Sequence, residues 1–132
     1  MADGDQTIVL TSNTEAKVNQ TPNQEVWEKV ITATFDADDT TALSLALPFN
    51  GILRHISFAI PQTTASRTKQ LQINDNGDNT VFDTGALTHV AGASTTTYAV
   101  DLPLSGTIDT VVTIEDTLGG TGVAMVITLR GI

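Results

Sequence analysis

The sequence predicts an all-β protein: an antiparallel β-sandwich, jelly-roll-like, of about eight or nine short strands. Three observations carry this. Apolar residues alternate with polar ones over short runs, the period of a half-buried strand. Asp, Asn, Gly and Pro punctuate those runs at regular spacing, as in sandwiches and barrels. About one residue in six is threonine, whose β-branched side chain suits a pleated surface.

Two parts are expected, 1–24 as an N-terminal arm or edge segment and 25–132 as the β-sandwich domain. The first 24 residues are polar and acidic and hold one short strand-like piece, Thr7 to Thr11. Next, Thr21, Pro22 and Gln24 have the arrangement of a helix start. Val26, Trp27, Val30 and Ile31 would share a helical face, but Trp27, Ile31, Ala33 and Phe35 also share a strand face. The β-branched run Val30, Ile31, Thr32 and Thr34 favours a strand over about 25–35. "DADD" (Asp36–Asp39) reads as a turn. Leu43, Leu45 and Leu47 then alternate with Ala42, Ser44 and Ala46 in a strand ended by Pro48.

Asn50–Gly51 is a turn signal. Ile52, Ile56, Phe58 and Ile60 are in phase after it, and Leu71 and Ile73 point inward in "TKQLQIN". Asn76–Gly77 reads as a hairpin turn, both residues tolerating positive φ, with "TVFDTG" returning. "ALTHVAG" reads as a loop. Tyr98, Val100 and Leu102 are in phase. The closing stretch sets Ile108, Val112 and Ile114 against Val123, Met125, Ile127 and Leu129 across "TLGGTG". It is expected to form a hairpin lying centrally in a sheet.

Composition excludes several functions. The chain has 132 residues, enough for one domain with its own core. It has no cysteine, so no disulfide framework, thiol nucleophile or thiolate metal site is available. Six basic residues against fifteen acidic ones give a net charge of −9. Nucleic-acid binding needs clustered Lys and Arg, so no nucleic-acid partner is expected. No stretch approaches the ~20 apolar residues of a membrane-spanning helix, and the acidic start is unlike a signal peptide. A soluble protein used without export, with no membrane partner, is expected.

Catalytic signals are absent. His55, beside Arg54 on a strand, and His89, in the loop, have no partner close in sequence and read as surface or satisfied histidines. No metalloprotease, nucleophile-elbow, P-loop or dinucleotide motif occurs. Two acidic clusters, Asp36/Asp38/Asp39 and Asp75/Asp78/Asp83, have oxygen ligands of the kind calcium takes, but Asp and Asn are also turn formers. The turn reading is preferred, with no cofactor or metal expected. One Trp and one Tyr are few for stacking on sugar rings, against a glycosidase and, less strongly, a carbohydrate-binding module. Trp27 reads as core rather than as a ligand platform.

The segments "IPQTTASRTKQLQINDNGDNTVFDTGAL", "DLPLSGTIDTVVTIEDTLGG" and "VAMVITLRG", in a short, acidic, Thr-rich chain, resemble small virion accessory proteins of tailed bacteriophages. The likeness is to the capsid decoration, or cement, type and covers about the last two-thirds of the chain. It implies a β-sandwich without catalytic residues, located in the virion. Its partner would be the major capsid protein or another virion protein, and its assembly a homotrimer. Two groups are then candidate partner-binding residues. Thr7, Ile8, Val9, Leu10 and Thr11 could add as a strand to a neighbour's sheet edge, or form an edge strand of their own sandwich. Arg54, Arg67 and Lys69, half of the basic residues, would make a basic docking spot if strands 52–60 and 69–74 pair. The alternative function is a ligand- or receptor-binding β-sandwich module, lectin-like or part of a fibre or tail.

Overall fold

The computed structural model describes residues 7–18, 24–35, 42–60, 67–89, 94–114 and 123–132. These hold ten strands: β1 (Thr7–Val18), β2 (Gln24–Phe35), β3 (Leu43–Pro48), β4 (Gly51–Ile60), β5 (Arg67–Asn74), β6 (Thr80–Asp83), β7 (Leu87–His89), β8 (Ser94–Leu104), β9 (Thr107–Ile114) and β10 (Val123–Gly131). The first sheet has the order β1-β2-β10-β4-β8. The second has the order β3-β9-β5-β6, with β7 beside β5. All pairings are antiparallel. "DADD" and "TLGGTG" lie outside the described residues.

The pairing is nested. β5 pairs with β6, β4 with β8, β3 with β9 and β2 with β10. The chain is one long ribbon, folded back at residues 75–79 and rolled so that successive strand pairs fall in alternate sheets. That is the jelly-roll arrangement of an antiparallel sandwich. It corrects one expectation: β9 and β10 do not form a hairpin. Each lies inside a different sheet, β9 between β3 and β5, β10 between β2 and β4. Both strands are central, but rolling the ribbon separates them.

Alternation puts one face of each strand into a shared core. Ile31, Phe35, Leu53, Ile56, Phe58, Met125, Ile127 and Leu129 from the first sheet meet Leu47, Leu71, Ile73, Ile108, Val112 and Ile114 from the second. β4 departs from its expected phase. Its register on β10 jumps from Arg130 opposite His55 to Gly131 opposite Leu53. Arg54 is the extra residue of this bulge, so Leu53 takes the core position and Ile52 is only half-buried.

Local chemistry also shifts two turns. The Asp75–Asn79 hairpin has its positive φ at Asp78 (64°), not at Asn76 or Gly77. The Asp78 N–H donates to the Asp75 carbonyl (2.9 Å) and the Asp75 N–H to the Asn79 carbonyl (2.9 Å). This is a three-residue loop whose last residue is left-handed, a common hairpin form. "ALTHVAG" is not all loop: Leu87–His89 pairs with β5, His89 opposite Arg67.

The strand at the N-terminal side runs well past Thr11. β1 pairs with β2 of the same chain from Thr7 opposite Thr34 to Val18 opposite Gln24. A bulge falls between Leu10 and Ser12. There the Thr11 hydroxyl donates to the Val30 carbonyl (3.0 Å). The inward row of β2 includes a lysine, Lys29. Its Nζ donates to Asn13 Oδ1 of β1 (2.9 Å) and lies 5.7 Å from the Trp27 ring centre, so the buried ammonium keeps polar and cation–π partners.

Candidate functional site

The outer face of the second sheet carries a network of side-chain amides around one carboxylate. It follows from alternation along β5. Lys69, Leu71 and Ile73 face the core and are buried, so Thr68, Gln70, Gln72 and Asn74 face outward. On β9, Ile108, Thr110, Val112 and Ile114 are buried, leaving Asp109, Val111 and Thr113 outside. The register sets Gln70 opposite Thr113, Gln72 opposite Val111 and Asn74 opposite Asp109. On the other side β6 sets Asp83 opposite Gln72.

Asp83 organises this face. Gln70 Nε2 donates to its Oδ1 (2.7 Å) and Gln72 Nε2 to its Oδ2 (3.1 Å). The Gly85 N–H also donates to Oδ1 (2.8 Å). The Gln70 amide and then the Gly85 N–H hold the Asp83 carboxyl below its ordinary 3.8; desolvation opposes them, and the Gln72 amide adds the smallest share of the lowering. Thr80 closes the other end, donating to Asn74 Oδ1 (2.8 Å).

The chain leaves β6 through Thr84 and Gly85, the latter at φ 68°. Thr84 stays tied to β5: its N–H donates to the Leu71 carbonyl (3.0 Å), and the Leu71 N–H donates to its hydroxyl (3.1 Å). Between this turn and β9 lies a cleft of about 340 Å³ lined by Thr68, Lys69, Gln70, Ala86, Thr113 and Ile114. That size is at the lower end for small-molecule sites. Its outward polar groups are hydroxyls and an amide, contiguous with the Gln70–Asp83–Gln72 clamp.

Of the residues singled out from the sequence, Asp83 centres the clamp and Lys69 borders the cleft, and the others lie elsewhere. Thr7 to Thr11 form the start of the edge strand β1. Arg54 is exposed on the first sheet, 3.6 Å from Asp101. Lys69 is buried on the inner side of the second sheet. β4 and β5 belong to different sheets and do not pair, so Arg54 and Lys69 do not share a basic surface. Arg67 lies on β5, and nothing is described of its side chain. Asp75 is a turn residue: its Oδ1 accepts from the Gly77 N–H, the Asn79 N–H and the Asn79 amide. No group of three or more potential metal ligands gathers among the described residues. Asp36, Asp38 and Asp39 lie outside them.

Both sequence-flagged aromatics are engaged in packing. Trp27, half-buried, meets Phe49 edge-on at 5.3 Å. Tyr98 meets Phe82 at 5.1 Å. Neither is on the outer face of the second sheet. Sequence reasoning passed over Gln70, Gln72 and Asn74, and weighed Asp83 only as a calcium ligand or a turn former. The available signal was "TKQLQIN", in which the polar positions 70, 72 and 74 are all side-chain amides.

No family model matches the chain, and no curated protein does. Distant likenesses exist among solved structures. The CBM22-1 xylan-binding domain from Paenibacillus barcinonensis is 10% identical, with a TM-score of 0.47, over 100% of this chain and 85% of that one. The carbohydrate-binding module CBM6cm-2 from Cellvibrio mixtus lichenase 5A is 11% identical, with a TM-score of 0.43, over 98% and 90%. A Bacillus endospore appendage protein of a disulfide-linked pilus family is 20% identical, with a TM-score of 0.42, over 99% and 93%. No site residue is carried over from any of them.

Proposed function

We infer that this chain is a non-catalytic ligand-binding β-sandwich module, and that it takes a neutral, hydroxyl-rich ligand of the oligosaccharide class. One observation carries the reading: the Gln70–Asp83–Gln72 clamp beside the Thr68–Gln70–Thr113 cleft. A carboxylate that accepts from two amides fixes both amide planes. Each amide still has a second N–H and a carbonyl oxygen to offer. Donors and acceptors then alternate along β5 on a rigid strand, the pattern that neighbouring sugar hydroxyls match as both donor and acceptor. Among the described residues this face has no aromatic platform, so affinity rests on hydrogen bonds and is modest.

The test is an NMR titration of the folded chain with soluble oligosaccharides of varied linkage. The side-chain amides of Gln70 and Gln72 and the Thr113 N–H are the reporters. At least one sugar should shift them saturably, and Asp83→Ala should weaken binding about tenfold, or ~1.4 kcal/mol. If no sugar moves these signals, or Asp83→Ala binds as tightly as the parent, the reading is wrong.

A second reading, a virion structural protein docking on a major capsid protein, is favoured by a separate observation. The exposed large apolar residues among those described are Val9 and Leu10, both on the edge strand β1. Rebinding of the purified protein to particles stripped of it would support that reading; sedimentation apart from such particles would remove it.

A further inference from the structure

The edges of the two sheets are not equivalent. Strand edges expose unpaired N–H and C=O groups, and proteins blunt them with short strands, proline or charge. β3 has six residues and ends at Pro48. β6 has four and ends at Asp83. β8 carries Asp101 and Pro103 near its end. β1 is different: it spans twelve residues without proline, and Thr7 to Thr14 bear no charge. It also holds the apolar surface, Val9 47% and Leu10 37% exposed, with Ile8 half-buried beside them.

We propose that β1 pairs with β1 of a second copy of this chain, antiparallel, with Val9 opposite Val9 of the partner subunit. The register follows from the side chains. Opposite residues in an antiparallel pair point to the same face. Ile8 and Leu10 lie opposite Ala33 and Ile31 of β2, which are buried on its inward row, and so share the inward side. Val9, opposite Thr32, is on the outer side. Centring the two-fold axis on Val9 sets Ile8 against Leu10 of the partner subunit and Leu10 against Ile8 of the partner subunit. Thr7 then faces Thr11 of the partner subunit, where the bulge begins. A one-residue shift of one strand would set inward residues against outward ones. The centred register covers both exposed apolar residues at once.

Charge favours the same edge. Two copies at −9 repel, and a contact between them needs a surface free of carboxylates. The first half of β1 is such a surface on an otherwise available edge. The pairing joins two five-stranded sheets into one and closes as a dimer with matched patches, unlike the trimer that the cement-protein resemblance implies. A strand-edge contact is smaller than a standard interface, so the dimer is weak and forms at high concentration.

The chain has no native cysteine, so single-cysteine variants give an unambiguous test. Val9→Cys should oxidise to a covalent dimer, and Thr14→Cys, exposed on the same strand but off the axis, should do so much more slowly. Sedimentation between about 10 µM and about 1 mM should show the mass rising from 13.9 kDa toward twice that value. Added salt should strengthen association by screening the repulsion. The double variant Val9→Lys with Leu10→Lys, checked for an unchanged circular dichroism spectrum, should stay monomeric. A parent chain that remains monomeric at every concentration, or equal crosslinking at positions 9 and 14, would overturn the proposal.

Discussion

Ile127 lies at the middle of β10, fully buried, opposite Ile31 on one side and Phe58 on the other. Truncation there leaves a cavity that two flanking strands cannot close. Ile127→Ala should therefore cost about 2–5 kcal/mol in denaturant unfolding; a loss near zero would place the residue outside the core. Asp83 behaves differently because it is exposed and its partners are amides. Its folded carboxyl titrates below its ordinary 3.8. The clamp therefore adds stability that is present above 3.8 and is lost as pH falls through the folded value. Ligand binding through the clamp should accordingly be level from about pH 5 to about pH 8. A carboxyl ¹³C titration of Asp83 with a midpoint above 3.8 would contradict the clamp.

Elements carry the second set of consequences. The ribbon folds back at a three-residue loop that asks for a left-handed residue, and Asp78 supplies it at φ 64°. Aspartate tolerates that region, but glycine adopts it without a Cβ penalty. Asp78→Gly should raise stability by up to about 1 kcal/mol, read as a shift of the denaturation midpoint at constant slope. A drop would mean that the Asp78 side chain has a role in the hairpin. The bulge on β4 shows how pairing overrides local alternation. Strict alternation located β3, β5, β9 and β10 and their inward rows. On β4 the extra residue Arg54 reverses the parity, so Ile52 loses the core position to Leu53. Nothing in "GILRHISF" marks a bulge, because the shift is set by pairing with β10 and β8 rather than by local preference.

For the whole molecule the dominant long-range term is self-repulsion at net charge −9. The two described ion pairs, Arg54–Asp101 and Arg130–Glu28, are solvent-exposed and contribute little. Screening should thus relieve more repulsion than it removes attraction. The melting temperature of the monomeric Val9→Lys, Leu10→Lys variant should rise by a few degrees between about 20 mM and about 300 mM salt. A fall would show that attractive pairs outweigh the net charge. The sequence by itself determined the all-β class, the inward rows of most strands and the hairpin at residues 75–79, because alternation and turn chemistry are local. It also marked Thr7 to Thr11 as strand-like. Only the tertiary structure decided that β9 and β10 part into different sheets and that Arg54 and Lys69 lie on different sheets. It alone showed that Gln70 and Gln72 meet Asp83 across β5 and β6. Those outcomes depend on how the ribbon rolls and pairs across many residues, and residues distant in the chain become neighbours only when the sheets close.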